Sequence, residues 1–206
     1  MTTDKRTRGA YRKTESRRAD ILRAAIDSIA EHGYDRASLR DIAARAGISH
    51  AGLLHHFADK DDLLHAAMRK QETDDHEFGI AAAEAGASVP TIVSDILARA
   101  AGNPDAARSW LALTVAASRP DHPAHDFFAG RRARARAAFT EGTAVLPADD
   151  AGLSLETTVV LLVALTDGLL LQSLYDPTLD VANPLKRFFE LVWPSAGATM
   201  PARPVS

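Results

Sequence analysis

The chain has 206 residues, of which 46% are hydrophobic, and a net charge of −3. This length and apolar content allow one or two domains with a buried core and exclude a disordered chain. The sequence contains no cysteine, which excludes disulfides and thiolate metal sites and agrees with a reducing cytoplasm, where we expect the protein to act. The basic N-terminal segment lacks the apolar stretch of a secretory signal, and the longest apolar run, residues 159–165, is too short to span a membrane.

The charge is distributed unevenly along the chain. Residues 1–57 carry 11 Lys and Arg against 7 Asp and Glu, a balance of +4, whereas residues 58–206 carry 13 against 20, a balance of −7. This split indicates a small basic head that tolerates a polyanion, joined to a larger acidic body. Ordinary variation of surface charge explains the same numbers equally well.

The first half of the chain has the pattern of short helices. Apolar residues recur at helical spacing from Arg17 to Gly33, where the glycine ends the helix. A second helix of about two turns ends at Gly47, and the inward face of a third would carry Leu53, Leu54 and Phe57. Residues that can cap the starts of the second, third and fourth helices are Ser38, Ser49 and Asp59.

The remaining segments are also helical in pattern. We expect a break near residues 86–90 and a long helix from residue 126 that ends before Pro147. Further helices are predicted at residues 91–100, 104–118, 155–175 and 185–192, with a loop at residues 119–126. Neither strand-like alternation nor an internal repeat occurs in the sequence. The predicted fold is therefore all-α, with a head of short helices and a body of long ones.

Residues 38–57 have the features of a helix-turn-helix. A helix placed in the major groove of DNA needs a short supporting helix, a tight turn and a second short helix packed on the first. Ala43 is small where the helices approach, Gly47 permits the turn, and Ile48 can fill the angle between them. Helix N-termini at Ser49 and at Asp59 would direct backbone N–H groups toward phosphates. Two short core helices without a role in DNA binding are the alternative.

The run SLRDIAARAGISHAGLLHHFADKDDLL, preceded by AEHGYDRA, resembles the DNA-binding domain of TetR-family transcriptional regulators over about residues 15–65. The family pattern is D-I-A-x-x-A-G-V-S-x-G-x-L-Y-x-H/Y-F, followed by S/D-K and an apolar pair. A later segment, LTDGLLLQSLYDPTLDV, resembles a ligand-domain helix of one branch of the family. With the basic N-terminus and the Pro-rich C-terminus, this resemblance predicts a basic flexible arm at residues 1–14, a three-helix DNA-binding domain at 15–62, a ligand-binding and dimerisation domain at 63–194, and a disordered tail at 195–206.

The resemblance also implies which residues contact DNA. Ser38 and Lys60 would bind phosphates, and the Arg40 guanidinium would fork onto guanine N7 and O6 in the groove. His50, Ala51 and Gly52 would lie at the start of the recognition helix, facing the bases, and His55 and His56 would lie near the DNA backbone. The full predicted set is Ser38, Arg40, Ser49, His50, Ala51, Gly52, His55, His56 and Lys60.

The chain departs from the family pattern in the recognition helix. Leu54 stands where the family usually has a phosphate-binding tyrosine, a contact for which His55 or His56 can compensate. Ala51 replaces a frequent glycine, and Gly52 stands where threonine or alanine is commoner. We therefore expect part of the specificity to come from Arg40 and from DNA shape.

A basic segment precedes the helix-turn-helix, with seven Lys and Arg between residues 5 and 18. As a flexible arm it could follow phosphates or enter a minor groove. A solvated tail without a role in binding is the alternative of equal weight.

The body has the features expected of a dimer. The helix at residues 154–175 is apolar on more than one face, so a second copy would cover part of it unless it is simply the core of a monomer. Together with residues 185–193 it would form half of a four-helix bundle, as the resemblance also implies. A homodimer would place two heads on a double-stranded palindromic operator.

The resemblance further implies that the protein is a repressor, the commoner mode in this family, and that it has a pocket for a small-molecule effector whose binding releases the DNA. The residues expected to line it are Ile96, Trp110, Leu113, Thr114, Phe127, Phe128, Thr166 and Leu170. Asp167 lies in the same apolar helix, where a buried carboxylate would need a partner. The effector, the operator sequence and the target genes cannot be inferred from the sequence.

Histidines suggest other classes of function. His122 and His125 form one group and His50, His55 and His56 another, but neither has the spacing of a metal site, because Pro123 interrupts the first and adjacent helical histidines point about 100° apart. No nucleophile elbow, P-loop, dinucleotide-binding glycine motif or H-E-x-x-H occurs. We therefore expect no enzyme activity, cofactor or metal, and keep a His-liganded metal sensor as the alternative, ahead of a His-dependent enzyme. An architectural DNA-binding protein would be basic throughout, unlike this chain.

Overall fold

The computed structural model describes residues 4–140 and 153–193, with side chains described for residues 16–138 and 153–193. All regular elements in these ranges are α-helices, as predicted. They are α1 (Asp4–His32), α2 (Leu39–Arg45), α3 (His50–Leu54), α4 (Lys60–Glu84), α5 (Val89–Ala101), α6 (Pro104–Ala116), α7 (His125–Ala129), α8 (Arg131–Thr140), α9 (Leu155–Tyr175) and α10 (Ala182–Val192).

The chain divides into two compact units. The first comprises residues 1–72 and 112–125, and the second comprises residues 73–111 and 126–206, each as far as the structure describes it. The sequence placed the end of the head at residue 62, whereas Leu63, Ala66 and Ala67 of α4 belong to the core of the first unit. The short helices α2 and α3 bury too little apolar surface against α1 alone, so the first turns of α4 complete the core.

The two chain ends differ in what the structure describes. The backbone of residues 4–14, expected as a flexible arm, is helical and continuous with α1. Lys, Arg and Ala favour a helix there, and the single Gly9 does not end it. The side chains of this segment and the predicted disordered tail at residues 195–206 lie outside the described residues.

The core of the first unit is formed by the inward faces of α1 to α4. Its buried side chains are Ile21, Leu22, Ala24, Ala25, Ile42, Ala43, Leu53, Phe57, Leu63, Ala66 and Ala67. One prediction is wrong here: Leu54 was expected to face inward, but it is 44% exposed. Leu53 and Phe57 lie four residues apart on one face, and Leu54 is rotated about 100° away from Leu53 toward the outside.

The core of the second unit lies where α5, α9 and α10 pack together. It contains Leu97, Ala107, Val159, Leu162, Leu169, Leu170, Val181, Leu185, Phe189 and Trp193. The long helix predicted from residue 126 is instead divided into α7 and α8, with Gly130 between them. Glycine has a low helix propensity, and a Cβ there would lie 3.2 Å from the carbonyl oxygen of Asp126. The predicted end of that helix, near Pro147, lies outside the described residues.

Helix α9 is unusually apolar. Among the described helices it is long and apolar enough to cross a membrane by length and composition, with 33% of its apolar window buried. Ser154 caps its start by accepting the N–H of Thr157, and Val160, Leu161 and Leu171 remain exposed along it. Partial burial of this kind is typical of a helix with one face in a core and another available to a partner.

Candidate nucleic-acid interface

Polar side chains of α1 hold the supporting helix α2 in place. The Ser28 hydroxyl, fully buried in α1, donates to Asp41 Oδ2 at 2.8 Å. Arg45 Nε donates to the same oxygen at 2.9 Å, and Arg45 Nη2 lies 2.7 Å from Glu31. These contacts lower the pKa of Asp41, mainly through the Ser28 hydrogen bond and then through Arg45. Asp41 is therefore held as a carboxylate that links α2 to α1.

The turn between α2 and α3 depends on Gly47. Its φ of 65° is in the left-handed region, which favours glycine. The N–H of Gly47 donates to the carbonyl of Ala44 at 3.1 Å, and the N–H of Ile48 donates to that of Ala43 at 2.9 Å. These two bonds satisfy carbonyls at the end of α2 and redirect the chain into α3, as the sequence pattern predicts.

The start of α3 is fixed by a side-chain cap. Ser49 Oγ accepts the N–H of Gly52 at 3.0 Å, and Ser38 Oγ accepts the N–H of Asp41 at the start of α2 in the same way. A Cβ on Gly52 would lie only 3.1 Å from Ser49 Oγ, so glycine leaves space for this cap. Leu53, which is completely buried, packs α3 against the core of the first unit.

The predicted DNA-contact residues lie in or next to α2 and α3, except for Lys60 at the start of α4. Exposed members of the set are Ser38, Arg40, Ser49, Ala51 and His55, and His50, Gly52, His56 and Lys60 are partly buried. Each capping serine accepts a backbone N–H, which leaves its own proton available to a phosphate oxygen. The Arg40 guanidinium makes no hydrogen bond or ion pair to another described residue, whereas Arg45 is fully engaged with acidic neighbours.

Lys60, which is predicted to bind a phosphate, donates hydrogen bonds to backbone carbonyls of its own chain. Its Nζ donates to the carbonyls of Tyr34 at 2.5 Å, Ala37 at 3.1 Å and Asp35 at 3.4 Å. The same ammonium lies 4.2 Å from the centre of the Tyr34 ring. All three protons of the ammonium thus face the turn that joins α1 to α2, because the carbonyls there have no partner in the helices. In this geometry Lys60 holds the turn, and its contact with a phosphate stays a prediction.

The start of α4 carries acidic caps. Asp59 Oδ1 accepts the N–H of Asp62 at 2.8 Å, as predicted, and Asp62 Oδ2 accepts the N–H of Ala58 at 3.1 Å. With Asp61 beside them, these carboxylates occupy donors that the sequence prediction directed at a phosphate, and their charge would repel one. The N-terminus of α3, which has no acidic residue in its first turn, is the better placed of the two.

Within the first unit, residues 118–125 contact α4 and the turn at Tyr34 through histidines, a feature that the sequence analysis missed. The His122 ring lies edge-on to Tyr34 with centroids 5.4 Å apart, and its Nδ1 accepts the N–H of Ala124 at 3.1 Å. The His65 Nε2 lies 3.1 Å from the carbonyl oxygen of Pro123. Burial, followed by the charge of Arg119, lowers the pKa of His122. The segment DHPAHD, with Pro123 between its two histidines, was the only signal in the sequence.

Arg18, the last residue of the predicted basic segment, makes a contact with Phe57 that the sequence analysis did not predict. The guanidinium of this exposed α1 residue lies 4.5 Å from the centre of the Phe57 ring, just after the end of α3.

Among the described residues no group of three or more His, Asp or Glu side chains could hold a metal ion. His125 Nδ1, the other candidate ligand in residues 118–125, lies 2.9 Å from the carbonyl oxygen of Ala117.

In the second unit the structure brings together three of the residues predicted to line a pocket. The rings of Trp110, Phe127 and Phe128 form a cluster with centroid separations of 5.2 to 6.2 Å. The other five predicted pocket residues lie elsewhere. In the second unit, Leu170 is in the core, Thr166 Oγ1 donates to the carbonyl of Val163 in its own helix, and Ile96 is partly buried. Leu113 and Thr114 belong to the first unit.

Polar groups of the second unit include one pair and one isolated hydroxyl. Arg131 Nη1 donates to both carboxylate oxygens of Asp167, at 2.8 and 2.9 Å. This pair supplies the partner that the sequence analysis expected a buried Asp167 to need. Ser94 Oγ is buried and has no hydrogen-bond partner among the described residues. A buried hydroxyl without a partner is unfavourable unless a bound group satisfies it.

Comparisons with known proteins agree on one class. Residues 21–67 match the model for bacterial regulatory proteins of the tetR family, and residues 86–186 match the C-terminal part of BetI-type transcriptional repressors. Over 55 residues the chain is 42% identical to an HTH-type transcriptional repressor of Mycobacterium tuberculosis, and this match covers 27% of the chain and 29% of that repressor.

Solved structures extend the likeness to most of the chain. A TetR-family transcriptional regulator from Rhodococcus sp. superposes with a TM-score of 0.64 at 23% identity, covering 87% of this chain and 99% of that one. The regulator FadR of Bacillus subtilis, in complex with stearoyl-CoA, superposes with a TM-score of 0.59 at 16% identity, covering 84% and 96%. At these identities the superpositions establish the fold alone.

Proposed function

Because this chain belongs to the TetR family of transcriptional regulators, we propose that it is a cytoplasmic repressor that binds a palindromic operator as a homodimer and is released by a small molecule. The observation that carries the proposal is the pair of short capped helices α2 and α3, which bury Ile42 and Leu53 and expose Arg40, Ala51 and His55. This is the arrangement that a recognition helix in the major groove requires.

The proposed DNA contacts follow from exposure and chemistry. Arg40 would contact a guanine, because its guanidinium is exposed and makes no ion pair with described residues. The hydroxyls of Ser38 and Ser49 would donate to phosphates. Base edges would meet the start of α3, at His50, Ala51 and Gly52, and the DNA backbone would meet its end, at His55 and His56. Lys60 would act indirectly, through the turn that it holds.

A second copy of the chain would cover the exposed apolar faces of α9 and α10. Val160, Leu161 and Leu171 are each about 40% exposed on α9, and Leu191 on α10 is 75% exposed. These positions support an interface in which the two helices form half of a four-helix bundle. Two-fold symmetry would then place two heads on half-sites about 34 Å apart, or a multiple of that distance.

The second unit would bind the effector. The aromatic cluster of Trp110, Phe127 and Phe128 offers an apolar wall, and the hydroxyl of Ser94 is a buried polar group without a described partner. These features favour an effector with an apolar body, and the related fold of FadR holds stearoyl-CoA. Release of DNA requires that the effector bind the DNA-incompetent state more tightly, with a typical coupling of about 1 to 3 kcal/mol.

The proposal is tested by footprinting the purified protein on the DNA upstream of its own coding sequence and measuring affinity against scrambled DNA. Arg40→Ala should lose about 1 to 3 kcal/mol of specific affinity and relax one base preference. Arg108→Ala, an exposed arginine of α6 paired with Asp105, is the matched control and should leave affinity unchanged. Equal loss on every sequence would reassign Arg40 to a phosphate, and absence of a footprint would refute specific binding.

Sedimentation of the protein tests the dimer separately. A Leu161→Glu substitution places a charge on the exposed face of α9 and should shift the protein from dimer to monomer. A wild-type monomer at micromolar concentration would contradict the proposed assembly.

A further inference from the structure

Leu54 is an exposed leucine in the middle of the candidate interface. It is 44% exposed, whereas the preceding Leu53 is completely buried. It follows His50 by four residues and Ala51 by three, so the three side chains share one outward stripe of α3. Ala51 is exposed as well. The stripe thus presents two apolar side chains to whatever α3 meets.

The chemistry of this stripe differs from that of a surface that binds phosphate. Leu54 stands where regulators of this family usually have a phosphate-binding tyrosine, and a leucine has no group that can donate to a phosphate oxygen. In the major groove the one apolar group on a base edge is the C5 methyl of thymine, which alanine and larger apolar side chains contact. An exposed apolar pair on a recognition helix therefore favours thymine, whose methyl group offers the largest apolar surface on a base edge.

We propose that Leu54, together with Ala51, recognises a thymine in each half-site by packing against its C5 methyl group. This inference rests on the proposed function, in which α3 lies in the major groove. The caps at Ser49 and the buried anchor of Leu53 hold the stripe rigidly, so contact with the methyl costs little ordering of the helix. One phosphate contact of the family is thereby exchanged for a contact that depends on sequence.

Deoxyuridine provides the test, because it pairs with adenine as thymine does but lacks the methyl group. Each thymine of the footprinted operator is replaced singly by deoxyuridine, and binding is measured by fluorescence anisotropy. For the wild type, replacement at one thymine per half-site should weaken binding about fourfold, the factor expected for burial of one methyl group. Leu54→Ala should bind the thymine and deoxyuridine operators with nearly equal affinity, and Leu54→Met should restore part of the difference.

Two controls separate this result from other causes. Ile80→Ala removes a side chain of similar exposure from α4, in the second unit, and should keep the full preference for thymine. Thermal unfolding of Leu54→Ala should match the wild type, because surface substitutions usually change stability little. A variant that unfolds early is replaced in the assay by Leu54→Met, whose preference for thymine should lie below that of the wild type.

The proposal is overturned if no deoxyuridine substitution weakens wild-type binding, or if Leu54→Ala keeps the wild-type preference. In both cases Leu54 is only an exposed leucine of the kind that surfaces commonly carry. Failure of the proposed function has a different signature, since the wild type would then bind operator and scrambled DNA alike and Arg40→Ala would have no specific effect.

Discussion

Substitution of Lys60 by methionine separates a positioning role from phosphate binding. The change keeps an unbranched side chain but removes the ammonium that donates to the carbonyls of Tyr34 and Ala37 at 2.5 and 3.1 Å, with a weaker contact to Asp35 at 3.4 Å. A hydrogen bond from a charged donor contributes about 1.5 to 3 kcal/mol when buried. Water can reach carbonyls that are only partly buried, so we expect a total loss of about 1 to 3 kcal/mol, which lowers the melting temperature by about 2 to 12 °C.

The assay combines thermal unfolding with operator affinity measured over a series of salt concentrations. If Lys60 positions the turn, stability falls while the slope of log affinity against log salt stays at the wild-type value. If Lys60 bound a phosphate, the slope would fall by about 0.9 for each phosphate lost, with the melting temperature unchanged. That second pattern would refute the geometric reasoning. Lys70→Met, at an exposed position later in α4, controls for the general effect of removing a positive charge.

Two further predictions concern the first unit. Leu53→Ala should destabilise the protein by about 2 to 5 kcal/mol in urea unfolding, because Leu53 is completely buried, while Leu54→Ala should cost less than about 1 kcal/mol; similar losses would place both leucines in the core. His122 has a lowered pKa, so the fold favours the neutral ring. The contribution of neutral His122 to stability should be complete above the ordinary pKa of 6.5 and should be lost as the pH falls through the lower folded pKa. The melting temperature of His122→Asn should therefore change less between pH 7.5 and 5.5 than that of the wild type. An equally steep decline in the variant would exclude His122 as the cause.

The helices could be predicted from sequence because local chemistry determines their ends. Ser38, Ser49 and Asp59 each accept a backbone N–H at a helix start, as their side chains favour. Gly33 and Gly47 adopt positive φ angles at helix ends, where few other residues are stable. Such signals lie within a few residues of the feature they specify, so a single sequence contains them.

Positions that depend on distant partners could not be predicted. The contacts of Lys60 with the carbonyls of Tyr34 and Ala37 could not be predicted, because these residues lie more than twenty positions earlier in the chain; its phosphate contact stays a prediction. The inward prediction for Leu54 was wrong because on so short a helix a single rotation of about 100° separates core from surface. Exposure on the outer side is what makes Leu54 a candidate for base recognition.

The first unit is not one continuous segment, and this bears on how its helices are held. The turn at Tyr34 that leads into α2 is contacted by Lys60 on α4 and by the ring of His122, which comes from residues 112–125. His65 of α4 also meets this later segment, at the carbonyl of Pro123. A chain that ends at residue 72 would contain all the predicted DNA contacts and keep Lys60, yet lack the His122 ring against Tyr34 and the Pro123 carbonyl that His65 contacts. The supporting helix α2 therefore depends on residues that no pattern confined to the helix-turn-helix could identify.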